Sequence, residues 1–178
     1  MMKLFAVYIG GAHPRANIEL HDMRFVVASS IRETYDELRK QWWGTPDSLH
    51  IDCWAELDYA DGYDIQLRPE PFPGKEKLYY VYLGGYDASD FIERHKNVFV
   101  VAPTLAQAKA KALHANRGLK QLHRDNLYEA EQAFDLAGAV ETPLEQRLYI
   151  HLTPSPAARS LTFTSKYIPL RTRPPRRG

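Results

Sequence analysis

The chain has 178 residues, 44% of them apolar and 12% aromatic, enough to fill one or two small cores. Its 23 Lys and Arg nearly cancel its 22 Asp and Glu, which excludes a strong overall field for nucleic acid or for a membrane surface. A single cysteine, Cys53, excludes an internal disulfide and fits a reducing cytoplasm.

The opening MMKLFAVYIGG has only Leu4 to Ile9 as an apolar run, shorter than the roughly 7 to 15 residues of a signal-peptide core. Its counterpart KLYYVYLGG stands mid-chain at 77–85, so both are expected to be strands. No apolar run approaches the roughly 20 residues of a membrane span. Next come IELHDMRFVVA at 18–28 and IERHKNVFVVA at 92–102, each setting Glu-x-His ahead of a strand. A shift of 74 residues lays 4–44 on 78–118 without a gap and leaves thirteen positions identical, among them Tyr8, Gly10, Gly11, Glu19, His21, Phe25 and Gly44. Two copies are too few for a solenoid and suit a pseudo-symmetric pair.

After each FVVA the sequence predicts a helix opened by a capping box, Ser30 with Glu33 and Thr104 with Gln107, and closed at Gly44 or Gly118. Ile31, Tyr35, Leu38 and Trp42 form one buried stripe on the first helix, and LAQAKAKALHA makes the second Ala-rich. With a one-residue slip, Leu49-His50-Ile51-Asp52 then matches Leu122-His123-Arg124-Asp125. HIDCWAEL alternates as a strand, and Asp61-Gly62 signals a hairpin into YDIQL at 63–67. In the second copy the equivalent strand is LYIHL at 148–152, reached after a longer insertion, EAEQAFDLAGAVETPLEQR, expected to hold a short helix or a loop.

These signals set the boundaries: a first repeat at 1–67, a Pro-rich linker at 68–77, a second repeat at 78–152, one extra strand within 153–170, and a disordered basic tail at 171–178. Without Arg171, Arg173, Arg176 and Arg177 the net charge of +1 becomes −3. The expected fold class is α+β: two tandem ββαββ-like repeats about a pseudo-two-fold axis, in an antiparallel or mixed sheet with one main helix each. Copies of about 65 residues are marginal alone and are expected to share a core.

The pattern VYIGG, NIELHDMRFVVA, HID resembles the bacterial family called domain of unknown function 1543, over most of 4–67 and again over 78–152. The resemblance implies a bacterial cytoplasmic setting, one or two copies per chain, and no particular activity.

Four of the seven histidines have a carboxylate two residues away: Glu19 with His21, His50 with Asp52, Glu93 with His95, and His123 with Asp125. In extended chain such pairs share a face. Each half could then gather two imidazoles and two carboxylates, a set able to ligate Zn²⁺, Mn²⁺ or Fe²⁺, or to supply a general base at Glu19 and His21 or at Glu93 and His95, although the two motifs need not meet in space. The same groups also suit a buried network that braces a loop, and this structural reading is preferred. The Gly-Gly pairs lack a following helix, so a tight turn, a bulge or close backbone approach is preferred to a phosphate cradle. Cys53 beside Asp52 is read as a small buried residue rather than a nucleophile. Trp42, Trp43 and Trp54 are read as core or interface anchors.

The leading expectation is a non-catalytic module, without cofactor, that binds a small ligand or a protein partner as a monomer or homodimer. The alternative is a metal-dependent, hydrolase-like enzyme built on Glu-x-His and His-x-Asp. Nucleic acid is expected at most weakly, through the arginine tail.

Overall fold

The computed structural model describes residues 1–85, 89–116, 129–139 and 147–171. The expectations for Gly118, for His123 and Asp125, and for the tail beyond Arg171 lie outside them. The described chain runs β1 (Lys3–Gly11), β2 (Leu20–Ala28), a 3-10 turn (Ile31–Thr34), α1 (Tyr35–Gln41), β3 (His50–Glu56), β4 (Tyr59–Ala60), β5 (Tyr63–Arg68), β6 (Lys77–Gly85), β7 (Arg94–Ala102), α2 (Leu105–Asn116), β8 (Glu129–Asp135), α3 (Leu136–Ala139), β9 (Tyr149–Pro154) and β10 (Phe163–Pro169). None of these helices is long and apolar enough to cross a membrane.

The strands form three sheets, ordered β10-β3-β1-β2, β4-β5-β9 and β7-β6-β8, with every pair antiparallel. The fold is therefore mostly β, which corrects the expected α+β pair of ββαββ repeats with one main helix each. Two local causes account for the difference. The first helical stretch divides into a 3-10 turn and a seven-residue α1, and Trp42 leaves it in an extended conformation. EAEQAFD, expected within an insertion, is instead strand β8 along β6, and LYIHL supplies β9, which pairs with β5.

Two compact units result. One comprises Met1–Asp58 with Arg147 and the described residues from Ser160 on; the other comprises Tyr59–Ala139 and Leu148–Arg159. In the first unit β1 is central, and Phe5, Val7 and Ile9 pack with Val26, Leu38, Trp42, Leu49, Ile51 and Leu170. Leu38 and Trp42 come from the predicted stripe. In the second unit β6 is central. Tyr79, Val81 and Leu83 meet Val100, Ala102 and the small faces of Ala108 and Ala112, which let α2 sit close to the sheet.

Caps and turns divide between expectation and correction. Thr104 Oγ1 accepts from the Gln107 amide at 3.3 Å, as a capping box requires. Ser30 makes no such bond. Glu33 reaches back one residue further, to the amide and hydroxyl of Ser29, and these bonds hold its carboxyl below the ordinary value. Gly44 does not take a left-handed conformation; a Cβ there would strike the Trp42 ring and the Ala12 carbonyl. Asp61 and Gly62 do adopt positive φ, 53° and 88°, and make the expected two-residue hairpin between β4 and β5.

Leu38 is fully buried, so Leu38→Ala should cost about 2–5 kcal/mol through lost transfer energy and the cavity left behind. Urea titration followed by circular dichroism measures it.

Candidate metal centre

One end of the first unit's sheet holds a row of three residues. Gly10 on β1 stands opposite His21 of β2 on one side and His50 of β3 on the other. Residues in such a row project to the same face of a sheet. With no side chain at the middle position, the two imidazoles lean over the glycine: a Cβ on Gly10 would lie 2.7 Å from His50 Nε2 and 3.0 Å from His21 Nε2. The expected turn or bulge at Gly-Gly is thus a straight run of strand whose missing side chain makes the floor of a cluster.

Two carboxylates close that cluster. Asp52 sits where the β1–β3 register shifts, because Tyr8 pairs Cys53 and Ile9 pairs Ile51, which leaves Asp52 as the extra residue of a β-bulge. The bulge aims it at the imidazoles, with Oδ2 3.3 Å from His21 Nε2 and Oδ1 3.4 Å from His50 Nε2. Glu19, at the end of the β1–β2 connection, places Oε2 3.6 Å from His21 Nε2 and Oε1 3.3 Å from His50 Nε2. Glu19, His21 and His50 each offer a ligand atom within 4.8 Å of the others. Glu-x-His and His-x-Asp therefore meet.

The protonation chemistry of His50 is constrained. Its Nδ1 is 2.9 Å from the Ser48 carbonyl oxygen, which only accepts, so Nδ1 carries the hydrogen. The Nε2 then faces two carboxylates either as a proton donor or as a lone pair toward a cation. The His50 side chain is only 3% exposed, and its ring rests on Tyr167 of β10 with centroids 4.6 Å apart. Asp52 Oδ2 is shut off from solvent without a hydrogen bond, since the 3.3 Å approach of His21 lacks the required geometry. Among the described residues no Lys or Arg pairs with Glu19 or Asp52. The His21 ring is held by Tyr8, stacked at 5.2 Å with planes 6° apart.

The second unit has a related cluster. Gly84 on β6 stands opposite His95 of β7 and Glu129 of β8, and the β6–β8 register shifts at Tyr82/Leu83, leaving Glu131 as the bulged residue. His95 Nε2 lies 3.4 Å from Glu93 Oε2 and 3.5 Å from Glu131 Oε2, and Tyr82 stacks on its ring at 4.8 Å and 7°. The positions of His50 and Asp52 are thus filled by Glu129 and Glu131, whereas the sequence alignment assigned them to His123 and Asp125. Sequence reasoning missed Glu131, Tyr8 and Tyr82 and gave Gly10 and Gly84 another task. The repeated Tyr-x-Gly-Gly was the available signal.

Cys53 takes no part in these contacts. Burial first, and then the charge of Asp52, push its thiol above the usual range, the opposite of an activated nucleophile. Burial and the same carboxylate also raise the Tyr8 phenol, which stays neutral beside His21.

Residues 16–67 match the family model described as Domain of Unknown Function (DUF1543). A solved structure of protein Il1583 from Idiomarina loihiensis is similar, with 33% identity and a TM-score of 0.70, over 97% of this chain and 100% of that one. No curated protein matches the chain at a significant level.

Two predictions follow the geometry. A methyl on Gly10 meets the ring of a buried histidine, whereas one on Gly84 meets the flexible ends of Glu131 and Glu93, 2.5 and 2.7 Å away. Gly10→Ala should therefore destabilise by about 1–3 kcal/mol, and Gly84→Ala by less, in parallel urea titrations. Cys53 should react with iodoacetamide more slowly than an exposed thiol at pH 7, and its rate should climb as the pH rises past the model-thiol range.

Proposed function

We propose that this chain, which belongs to the DUF1543 family, is a binding module whose first cluster, Glu19, His21, His50 and Asp52, holds a divalent transition-metal ion of the zinc type. The observation that carries the reading is the spacing of nitrogen and oxygen donors in that cluster. Each of its four imidazole–carboxylate contacts, 3.3 to 3.6 Å, falls near the separation of neighbouring ligand atoms around a tetrahedral ion with bonds of about 2.0–2.2 Å, and Glu19, His21 and His50 each supply an atom within 4.8 Å of the others.

Charge supports the same reading. Two carboxylates with neutral imidazoles carry −2, and a dication cancels it without requiring His50 to be buried as an imidazolium. The Ser48 carbonyl fixes the His50 tautomer that leaves Nε2 free to ligate, the outer-shell arrangement common to metal-bound histidines.

A second reading, a metal-dependent hydrolase, draws on exposure. Glu19 is 49% exposed and Asp52 31%, so either carboxylate can leave the ion and open a position for a water whose pKa the metal lowers. It predicts zinc-dependent hydrolysis of activated phosphate or carboxylate esters that disappears in Glu19→Gln. Turnover unaffected by chelation would eliminate it.

The binding reading is tested on the untagged full chain after chelation and dialysis. Zinc at about a hundred times its dissociation constant should raise the melting temperature by about 5–10 °C, the equivalent of about 2.7 kcal/mol. His21→Ala should stay folded by circular dichroism and lose that shift. A folded wild-type chain that takes up no zinc, with the shift absent, would mean that the cluster is only a brace.

A further inference from the structure

We infer that the cluster of the second unit, Glu93, His95 and Glu131, is a separate metal site whose preference for zinc over Mn²⁺ is weaker than that of the first cluster. The inference extends the metal reading of the first cluster and adds a difference in preference.

The construction of the two clusters is shared in every respect but one. Both are built over a glycine in the central strand, with an imidazole across one strand pair and a bulged carboxylate across the other. In both, a tyrosine two residues before that glycine stacks parallel to the imidazole, and a glutamate two residues before the histidine completes the set. The contacts to His95, 3.4 and 3.5 Å, fall within the range of the first cluster. The absence of a Cβ at Gly84 is what leaves room for the ends of Glu131 and Glu93, 2.5 and 2.7 Å from where that atom would lie.

A neutral His95 has a single Nε2 between these two carboxylates. Among the described residues no Lys or Arg pairs with either of them. The two carboxylates converge on that one imidazole over a position kept clear of side chain, and a dication held there would neutralise both.

The difference is the second imidazole. Where β3 places the buried His50 opposite Gly10, β8 places Glu129 opposite Gly84, and Glu129 is exposed and makes none of the cluster's contacts. The donor set changes from two imidazoles and two carboxylates to one imidazole and two carboxylates. Imidazole favours zinc, copper and iron, whereas carboxylate and water favour magnesium, manganese and calcium. His95 and Glu131 are each 36% exposed, so waters can fill the remaining positions of an octahedral ion.

The test uses the untagged full chain, stripped of metal, with Zn²⁺ and Mn²⁺ as probes in equilibrium dialysis and Mn²⁺ also followed by electron paramagnetic resonance. Two zinc ions per chain are expected, with the Zn²⁺/Mn²⁺ affinity ratio at least tenfold smaller at the second cluster than at the first. Glu131→Gln should lower the zinc stoichiometry from two ions to one and abolish Mn²⁺ uptake; His21→Ala should also leave one zinc per chain but keep Mn²⁺ uptake. Glu129→His should restore a second imidazole and move the Zn²⁺/Mn²⁺ preference of the second cluster at least tenfold toward zinc. Folded chain that binds no Mn²⁺, Mn²⁺ uptake that survives Glu131→Gln, or a preference unmoved by Glu129→His would each overturn the inference. Loss of zinc binding at the first cluster alone, with Mn²⁺ still bound through Glu131, would instead reject the reading of that first cluster and leave this one standing.

Discussion

A central strand has neighbours on both sides, and its side chains alternate between two faces; everything at the candidate centres depends on one interruption of that rule. At Gly10 and at Gly84 the face that carries Tyr8 or Tyr82 two residues earlier loses its side chain. Neighbours that would otherwise stand parallel to a central residue turn inward over the vacant position. The convergence of nitrogen and oxygen donors is a packing outcome before it is a chemical one. Tyrosine stacking on one flank then limits how far the imidazole can rotate.

That packing creates an electrostatic problem whose scale depends on burial. His50 lies under β10 and the Tyr167 ring, while Glu19 and His21 retain access to water. A half-exposed carboxylate is readily solvated; a shielded oxygen such as Asp52 Oδ2 is not, and it costs about 1–3 kcal/mol if nothing compensates. The least hydrated atoms of the first cluster therefore set the demand for a positive charge. The more exposed groups make no such demand, because water solvates them. The second cluster has no buried histidine at the matching position, so its demand rests on carboxylates alone.

How much of this was legible in the sequence depended on which residues carried the signal. The strand β1, the Asp61-Gly62 hairpin, the buried stripe of Leu38 and Trp42 and the extra strand at Phe163–Pro169 were readable because apolar alternation and positive-φ turn residues are local properties. The sequence offered Glu19 and His21 with His50 and Asp52 as candidates because both motifs flank strands, but it left open whether they meet, since strand pairing is not a local property. The second cluster was misassigned for a physical reason: Glu129-Ala130-Glu131-Gln132 has little β-branched or aromatic character, so nothing local marks β8 as a strand. An alignment by letters then preferred the His-x-Asp at His123 and Asp125. The overall balance of helix and strand was misjudged because Ile31–Gln41 has a helical period but not a helical length once its first turn tightens to 3-10. Gly10 and Gly84 were visible and misread, because a glycine that makes room for a neighbour leaves the same letter as one that makes a turn.

The bulges at Asp52 and Glu131 carry a consequence for how these centres can change. Side-chain direction in a strand has a period of two, so an extra residue is a phase shift, and the carboxylate owes its direction to a count of residues rather than to any contact it makes. Removing Ile51 from β3 would let Asp52 take its place opposite Ile9, on the face away from an otherwise untouched pair of imidazoles, while Cys53 and everything beyond it keep their partners. Length in β3 and β8 is therefore as much a determinant of the centre as composition. A gap in either strand would thus change the donor set more abruptly than the exchange of one ligand for another amino acid.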